Sequence, residues 1–240
     1  MAKKVLITGS SQGIGLGIAK RFAKDFDVYI TGRYSNKLQK LVEQYGFKGY
    51  YAVDLTQDSA AEMLLSKIGY DIDILINNAG IYFYNPIEKM DIKDIQNTIK
   101  INSLIPYELS KLTVAHMKKQ NWGRIINIGS ISGVMGEANA SIYSMTKASL
   151  IGFTKSLALE LSQNNITVNI INPGWVDTEL INNENLESDF SREEILETIP
   201  QRRFVTPEEI ADTCAFLVSD NAKTITGQSI NICAGLSLGC

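Results

Sequence analysis

Histidine is almost missing from this chain: His116 is the only one in 240 residues. That scarcity argues against a His-dependent catalytic triad and against a zinc site, so no metal is expected. Cysteine is also scarce. Cys214, Cys233 and Cys240 are odd in number and lack metal-like spacing, so they read as buried or terminal thiols in a reducing compartment. Proline occurs only 5 times, and no apolar run reaches the roughly 20 residues of a membrane span. The first residues, Met1 to Thr8, hold too short an apolar run for a signal peptide and no cleavage-like small residues. A soluble, cytoplasmic protein with no membrane partner is the expectation. A basic excess is absent too: the net charge is −3 and the sequence pI about 5.3, which excludes a nucleic-acid footprint on charge grounds.

What is present is ordinary for a globular protein, with 45% hydrophobic and 20% charged residues. The length suits one domain over residues 1–240, able to bury roughly 70–75% of its unfolded surface.

Short β-branched runs alternate with longer helical stretches. Strands are predicted at Val5–Thr8, Val28–Thr31, Gly49–Val53, Ile72–Ile76, Arg124–Ile128, Ile166–Ile171 and Gln228–Ile232. Helices are predicted at Gly13–Lys24, Asn36–Tyr45, Asp58–Ile68, Tyr143–Ser162 and Pro207–Val218. A long helical region over Asp91–Gln120 is expected to kink at Pro106. Near-continuous apolar strands separated by helices give an α/β fold, a doubly wound parallel sheet of about seven strands.

The first strand runs into Thr8-Gly9-Ser10-Ser11-Gln12-Gly13-Ile14-Gly15, and a helix follows. Glycines at such a junction let the backbone approach a pyrophosphate at the helix N-terminus; a glycine-rich turn without a ligand is the plainer alternative. The end of the second strand has Gly32-Arg33 and no acid. Arg33 suits a 2′-phosphate, so NADP(H) is expected rather than NAD(H).

A Tyr four residues before a Lys shares a helix face with it. Both Tyr143/Lys147 and Tyr107/Lys111 have that spacing. Only Tyr143 has a serine 13 residues earlier at a strand end, Ser130; the matching residue for Tyr107 is Asp94. Tyr107 is therefore expected to pack on its own helix. A lysine ammonium beside Tyr143 is expected to lower its phenol pKa from near 10 toward the working range.

The TGxxxGxG loop, Asn77-Asn78-Ala79-Gly80, Ser130, Tyr143-x-x-x-Lys147 and Pro173-Gly174 occur in an order that resembles the short-chain dehydrogenase/reductase family. The resemblance covers essentially the whole chain and looks most like the 3-oxoacyl-carrier-protein reductases. It implies hydride transfer between a carbonyl and a secondary alcohol, with Tyr143 as proton donor, Ser130 on the substrate oxygen and Lys147 also on the nicotinamide ribose. It implies that Asn102, 28 residues before Ser130, holds a relay water. Gly9 through Gly15 and Arg33 would bind the cofactor. So would Asp54 and Leu55 at the adenine, Asn78 along its length, and Val176 and Thr178 at the carboxamide. The family also implies a homo-oligomer, a tetramer or a dimer, paired through the Tyr-bearing helix.

Three departures qualify the resemblance. Residues 179–200, the family's variable substrate lid, hold seven acids and one base, a local balance of −6. Asn121 and Asn164 stand where those reductases usually carry carrier-docking arginines, and Cys233-Ala234-Gly235 stands for a usual Asp-Gly-Gly. The readings are a 3-oxoacyl thioester reductase, a reductase of neutral carbonyls (sugar, polyol, steroid or diketone), or a non-enzymatic dinucleotide sensor. The four candidate catalytic residues weigh against the sensor.

Overall fold

A computed structural model describes residues 2–178 and 191–238. Seven strands form one sheet: β1 (Lys4–Ile7), β2 (Asp27–Gly32), β3 (Gly49–Ala52), β4 (Ile74–Asn77), β5 (Gly123–Ile128), β6 (Ile166–Pro173) and β7 (Ser229–Ile232). Their order is β3-β2-β1-β4-β5-β6-β7 and every pairing is parallel. The helices are α1 (Gly13–Phe22), α2 (Ser35–Tyr45), α3 (Ala60–Ile68), α4 (Ile92–Ile99), α5 (Ile105–Gln120), α6 (Ser132–Met135), α7 (Ser141–Leu161), α8 (Arg192–Thr198) and α9 (Pro207–Val218).

The apolar runs sit where two faces need covering. Strands β4, β5 and β6 are buried along their whole length, whereas the edge strands β3 and β7 are partly exposed. Alternate residues of β1 serve opposite layers. Val5 and Ile7 pack with Ile18, Phe22, Ile210 and Leu217 on the α1/α9 side. Leu6 packs with Leu64, Leu65, Leu109 and Leu161 on the α3/α5/α7 side.

The long helical region departs from expectation. It is not one helix kinked by Pro106: a π-type segment, Lys100–Leu104, separates α4 from α5, and Pro106 lies in the first turn of α5. The backbone stays helical through that segment, with Ile105 N–H donating to the Lys100 carbonyl, and Pro106, which has no N–H to give, follows directly. The π segment is what places Asn102 in the interior, with no solvent exposure.

Ala234 takes a left-handed φ of 51°. That is the conformation for which the related pattern supplies glycine, so the departure at Cys233-Ala234-Gly235 carries local strain of about 1–2 kcal/mol. Cys214 and Cys233 are buried and unbridged, while Cys240 lies outside the described residues. His116 is structural, its Nε2 being 3.2 Å from Asp73 Oδ1. Among the described residues no helix is long and apolar enough to cross a membrane, and no three His, Cys, Asp or Glu are grouped to hold a metal.

Candidate active site

The sheet reverses its winding between β1 and β4, and at such a switch point the chain ends diverge to leave a crevice. The glycine loop forms one wall. Gly9 has φ 63°, and a Cβ on it would lie 2.8 Å from Ala79 Cα; only glycine meets both conditions. A Cβ on Gly15 would fall 2.5 Å from Asn78 Nδ2 and 2.6 Å from the Gly9 carbonyl oxygen. The loop is tied to β4 by Thr8, whose Oγ1 accepts from the Asn78 and Ala79 N–H groups at 3.0 Å each. Asn78 Nδ2 in turn donates to the Thr8 and Gly9 carbonyls at 2.9 and 3.0 Å. The start of α1 has no side-chain cap and no acid in its first turn. Its outward N–H groups and the cradle between Gly9, Gly13 and Gly15 therefore fit a pyrophosphate.

Not every residue of the predicted loop points into the crevice. Ser10 has no exposed surface; its Oγ donates to the Ile7 carbonyl at 2.7 Å and accepts from Thr31 N–H at 2.9 Å. Ser10 is a staple between β1 and β2 with no free side-chain donor, so only its position belongs to the loop. Ile14 packs partly buried against the core. Ser11 lies against Gly32 at the end of β2, with Ser11 Oγ 3.1 Å from where a Gly32 Cβ would stand. Arg33 follows, exposed, its guanidinium 5.7 Å from the Tyr34 ring centroid. Asp54 is held below the usual carboxylate range first by the Thr56 N–H and hydroxyl, with Arg33 and Lys100 adding to it. Leu55 is buried beside it. On the far side Val176 pairs with Val205, and the Thr178 methyl lies 3.4 Å from the Cβ position of Gly13. Lys37, which the sequence reading passed over, donates to Gln12 Oε1 at 2.9 Å. Its place one helical turn after Arg33 was the available signal.

The second wall comes from β5, α7 and the π segment. Lys147 is buried at 4% exposure and donates to the Ile128 carbonyl at 2.8 Å, anchoring α7 to the last residue of β5. Its Nζ is 5.6 Å from the Tyr143 ring centroid. Asn102 spans the gap to the loop after β4: Oδ1 accepts from Ile81 N–H at 2.9 Å, and Nδ2 donates to Ile81 O at 2.9 Å and Thr146 Oγ1 at 3.2 Å. A Cβ on Gly80 would sit 3.4 Å from Asn102 Oδ1 and 3.5 Å from Lys147 Nζ, so these two predicted residues flank one small space. Ser130 faces Tyr143 as a hydrogen-bond partner of its hydroxyl.

One expectation is overturned. Lys147 does not bring the Tyr143 phenol down; burial pushes it up to about 12, the Glu137 charge adds to that, and the Ser130 hydroxyl opposes it. Burial also draws the Lys147 ammonium down to about 8. Taking either charged form out of water costs more than its neighbours return in the chain alone.

The sequence reading also missed a polar group beside the phenol. The Tyr82 ring meets Tyr143 edge-on with centroids 4.9 Å apart, and Tyr82 donates to Glu137 Oε1 at 2.8 Å. Ser132 donates to Glu137 Oε2 at 2.6 Å. The Tyr82-Phe83-Tyr84 run after the NNAG turn was a visible sign of a specialised wall, but nothing in the sequence pairs it with Glu137. Tyr107 is well away from this cluster. It packs not on its own helix but against Phe153 of α7, centroids 5.5 Å apart. Of the acidic lid, Glu193, Glu194 and Glu197 are on α8 or its first turn, while Glu179, Glu184, Glu187 and Asp189 lie outside the described residues.

A family described as Enoyl-(Acyl carrier protein) reductase matches residues 9–237. The chain is 39% identical over 242 residues to the 3-oxoacyl-[acyl-carrier-protein] reductase FabG of Buchnera aphidicola subsp. Schizaphis graminum, covering 98% of this chain and 97% of the relative. It is 37% identical over 239 residues to the FabG of Escherichia coli K12, with the same coverage. Among solved structures it is similar to YwfH, an NADPH dependent reductase involved in bacilysin biosynthesis, with a TM-score of 0.89, 29% identity and 98% of each chain covered.

The buried ammonium makes a testable demand on stability. The unfolded Lys147 holds its proton up to its ordinary pKa of 10.5, the folded one only to about 8. Between these values the unfolded state binds more protons, so the Lys147 contribution to stability rises with pH across that window. Urea unfolding at pH 7.5 and 9.5 should show this rise in the native chain. Lys147→Met should remove it and leave the protein more stable at pH 7.5.

Proposed function

The chain belongs to the short-chain dehydrogenase/reductase family, and on that footing we propose that it is an NADPH-dependent reductase of 3-oxoacyl thioesters. The observation that carries this reading is a half-buried phenol, Tyr143, its pKa raised, beside Ser130 and Lys147, with Asn102 tied to the same helix through Thr146 at the β1/β4 crevice. A group that holds its proton at neutral pH is suited to giving it to a developing alkoxide.

The nicotinamide dinucleotide, when bound along the crevice, supplies the hydride. Gly9 to Gly15 and the start of α1 would hold its pyrophosphate, Arg33 with Lys37 the 2′-phosphate, and Asp54 and Leu55 the adenine. Asn78, Val176 and Thr178 would line the nicotinamide half, with Lys147 at its ribose. Tyr143 transfers its phenolic proton to the substrate oxygen while Ser130 donates a hydrogen bond to the same atom. Asn102 fixes the Ile81 backbone and the Lys147 helix at one distance, and keeps room beside Gly80 for a relay water.

Asn121 and Asn164 bear on how a carrier-bound substrate would dock. Asn121 caps α5 just before β5, and Asn164 ends a turn just before β6. Both lie at the opposite end of those strands from Ser130, and asparagine at 121 answers a local need, a left-handed φ of 53°. Recognition through an arginine at these positions is not available to this chain, and this favours a second reading in which the substrate is a small neutral carbonyl. The chain self-associates, in our reading, through α7 and α5 with the π segment before it, where Leu104, Tyr107, Met145 and Leu159 are 49–78% exposed around the small residues Ala148, Ser149 and Gly152. Its compartment is cytoplasmic, where Cys214 and Cys233 stay reduced.

Three measurements test this. Tyr143→Phe should lower NADPH oxidation with an acetoacetyl thioester by about 10²–10⁴-fold while NADPH binding, followed by fluorescence, is kept. Turnover of sugars or diketones with no thioester turnover would install the second reading, and retained activity in Tyr143→Phe would end the assignment. Arg33→Ala should raise the KM for NADPH roughly tenfold to a hundredfold, the worth of a charge-assisted hydrogen bond, and leave NADH unaffected. Sedimentation of Leu159→Glu should show a smaller assembly than the native chain.

A further inference from the structure

The hydrogen bonds beside Tyr143 run in one direction. Glu137, in the turn between α6 and α7, accepts from Ser132 Oγ at 2.6 Å through Oε2 and from the Tyr82 hydroxyl at 2.8 Å through Oε1. A carboxylate only accepts, and a serine hydroxyl has a single hydrogen to give. Ser132 spends that hydrogen on Glu137, so toward Ser130 it can only accept, and Ser130 Oγ donates to it at 3.1 Å. Ser132 N–H returns a bond to Ser130 Oγ at 3.1 Å. With its hydrogen drawn toward Ser132, Ser130 withholds from Tyr143 the donor that would favour a phenolate. A phenolate needs that donor and a phenol does not, so the protonated form gains.

From this geometry we infer that Glu137 is a positioning residue for carbonyl reduction: through Ser132 it turns the Ser130 hydroxyl, and through Tyr82 it sets the ring against which Tyr143 stands, so that Tyr143 is held as a proton donor. Glu137 touches neither end of the transferred proton and acts through its neighbours. Its effect sits on top of the proposed reductase reading, since it biases the same phenol. The charged and titratable groups facing Tyr143 among the described residues come from three elements. Lys147 is on its own helix, Tyr82 with Tyr84 behind it on the loop after β4, and Glu137 on the turn before α7. Asn102, from the π segment, brings no charge. Burial disfavours the phenolate most and the Glu137 charge adds to that, whereas a hydrogen given by Ser130 favours it, and that hydrogen is the one Ser132 takes. Substrate entry completes the device. A carbonyl oxygen arriving at Ser130 competes with Ser132 for one hydrogen, so the serine leaves the chain only when it has a substrate oxygen to meet.

The experiment follows the Tyr143 phenol directly, by NMR of protein labelled with ¹³C at the tyrosine ring carbon bearing oxygen, the Tyr143 signal being identified by its loss in Tyr143→Phe. In Glu137→Gln, and separately in Ser132→Ala, which keeps the carboxylate and cuts the link, the signal should begin to titrate about one pH unit below the native chain. Glu137→Asp should restore part of the difference. The alkaline fall of kcat for reduction should move down by the same amount, with KM for NADPH unchanged. An identical titration in native, Glu137→Gln and Ser132→Ala proteins overturns the inference whatever the activity. A shifted titration in a protein that reduces no carbonyl supports the hydrogen-bond device and rejects the reductase reading instead. If thermal unfolding shows that Glu137→Gln does not fold, the Ser132→Ala titration decides the matter alone.

Discussion

Everything at the site hangs on the clasp between Thr8 and Asn78. Strands β1 and β4 are hydrogen-bonded neighbours up to Ile7 and Ile76, and then their chains turn away toward opposite sides of the sheet. The Thr8 hydroxyl receives two N–H groups from Asn78 and Ala79, and the Asn78 amide returns two bonds to the Thr8 and Gly9 carbonyls. Four bonds between two short segments fix the crevice width, and they leave the glycine loop no room for any side chain at positions 9 and 15. The backbone groups of a loop would otherwise need water. Here the Thr8 and Gly9 carbonyls are satisfied from across the divide, while the N–H groups at the start of α1 stay open to a ligand.

The opposite wall is organised by a different expense. Lys147 is an ammonium with one backbone acceptor, and Tyr143 a phenol within reach of it, both in surroundings that penalise charge. Stability alone would select apolar residues at both positions. The two groups carry a local sacrifice in stability, and the contacts that offset it are remote: the fully buried β5 and β6, and the apolar layer of Leu109, Leu161 and Val168. The base of β5 shows the same economy on a structural residue. Arg124, 1% exposed, is drawn down by burial and donates to the Gly123 and Asn165 carbonyls while stacking on Trp122.

How far the sequence discloses this molecule depends on the range of the interaction. Strands with two buried faces announce themselves as largely apolar runs, so β1, β5 and β6 are legible to within one or two residues at their ends. Glycines forced by close approach at 9 and 15 are legible too, since their spacing is rigid. The π segment is not, because one extra residue per turn scarcely disturbs a 3.6-residue rhythm over five positions. Ser10 misleads for a related reason: a serine in a phosphate loop reads as a ligand, and only β2 alongside shows that its hydroxyl is engaged by Thr31. The Tyr143 phenol fails to fall because its titration reflects burial and Glu137, neither of which the Tyr-x-x-x-Lys spacing encodes. Tyr82 and Glu137 are 55 residues apart and meet only through the fold.

Asn121 ends α5 in a left-handed turn that suits asparagine. Arginine at that position would pay the ordinary penalty of an L residue there, on the order of 1 kcal/mol, and would loosen the end of a helix whose beginning abuts Asn102. A cationic foothold for an acidic carrier would thus come at the cost of the turn that leads into β5. In this chain the residue that would meet such a partner is already committed to turning the backbone from α5 into β5.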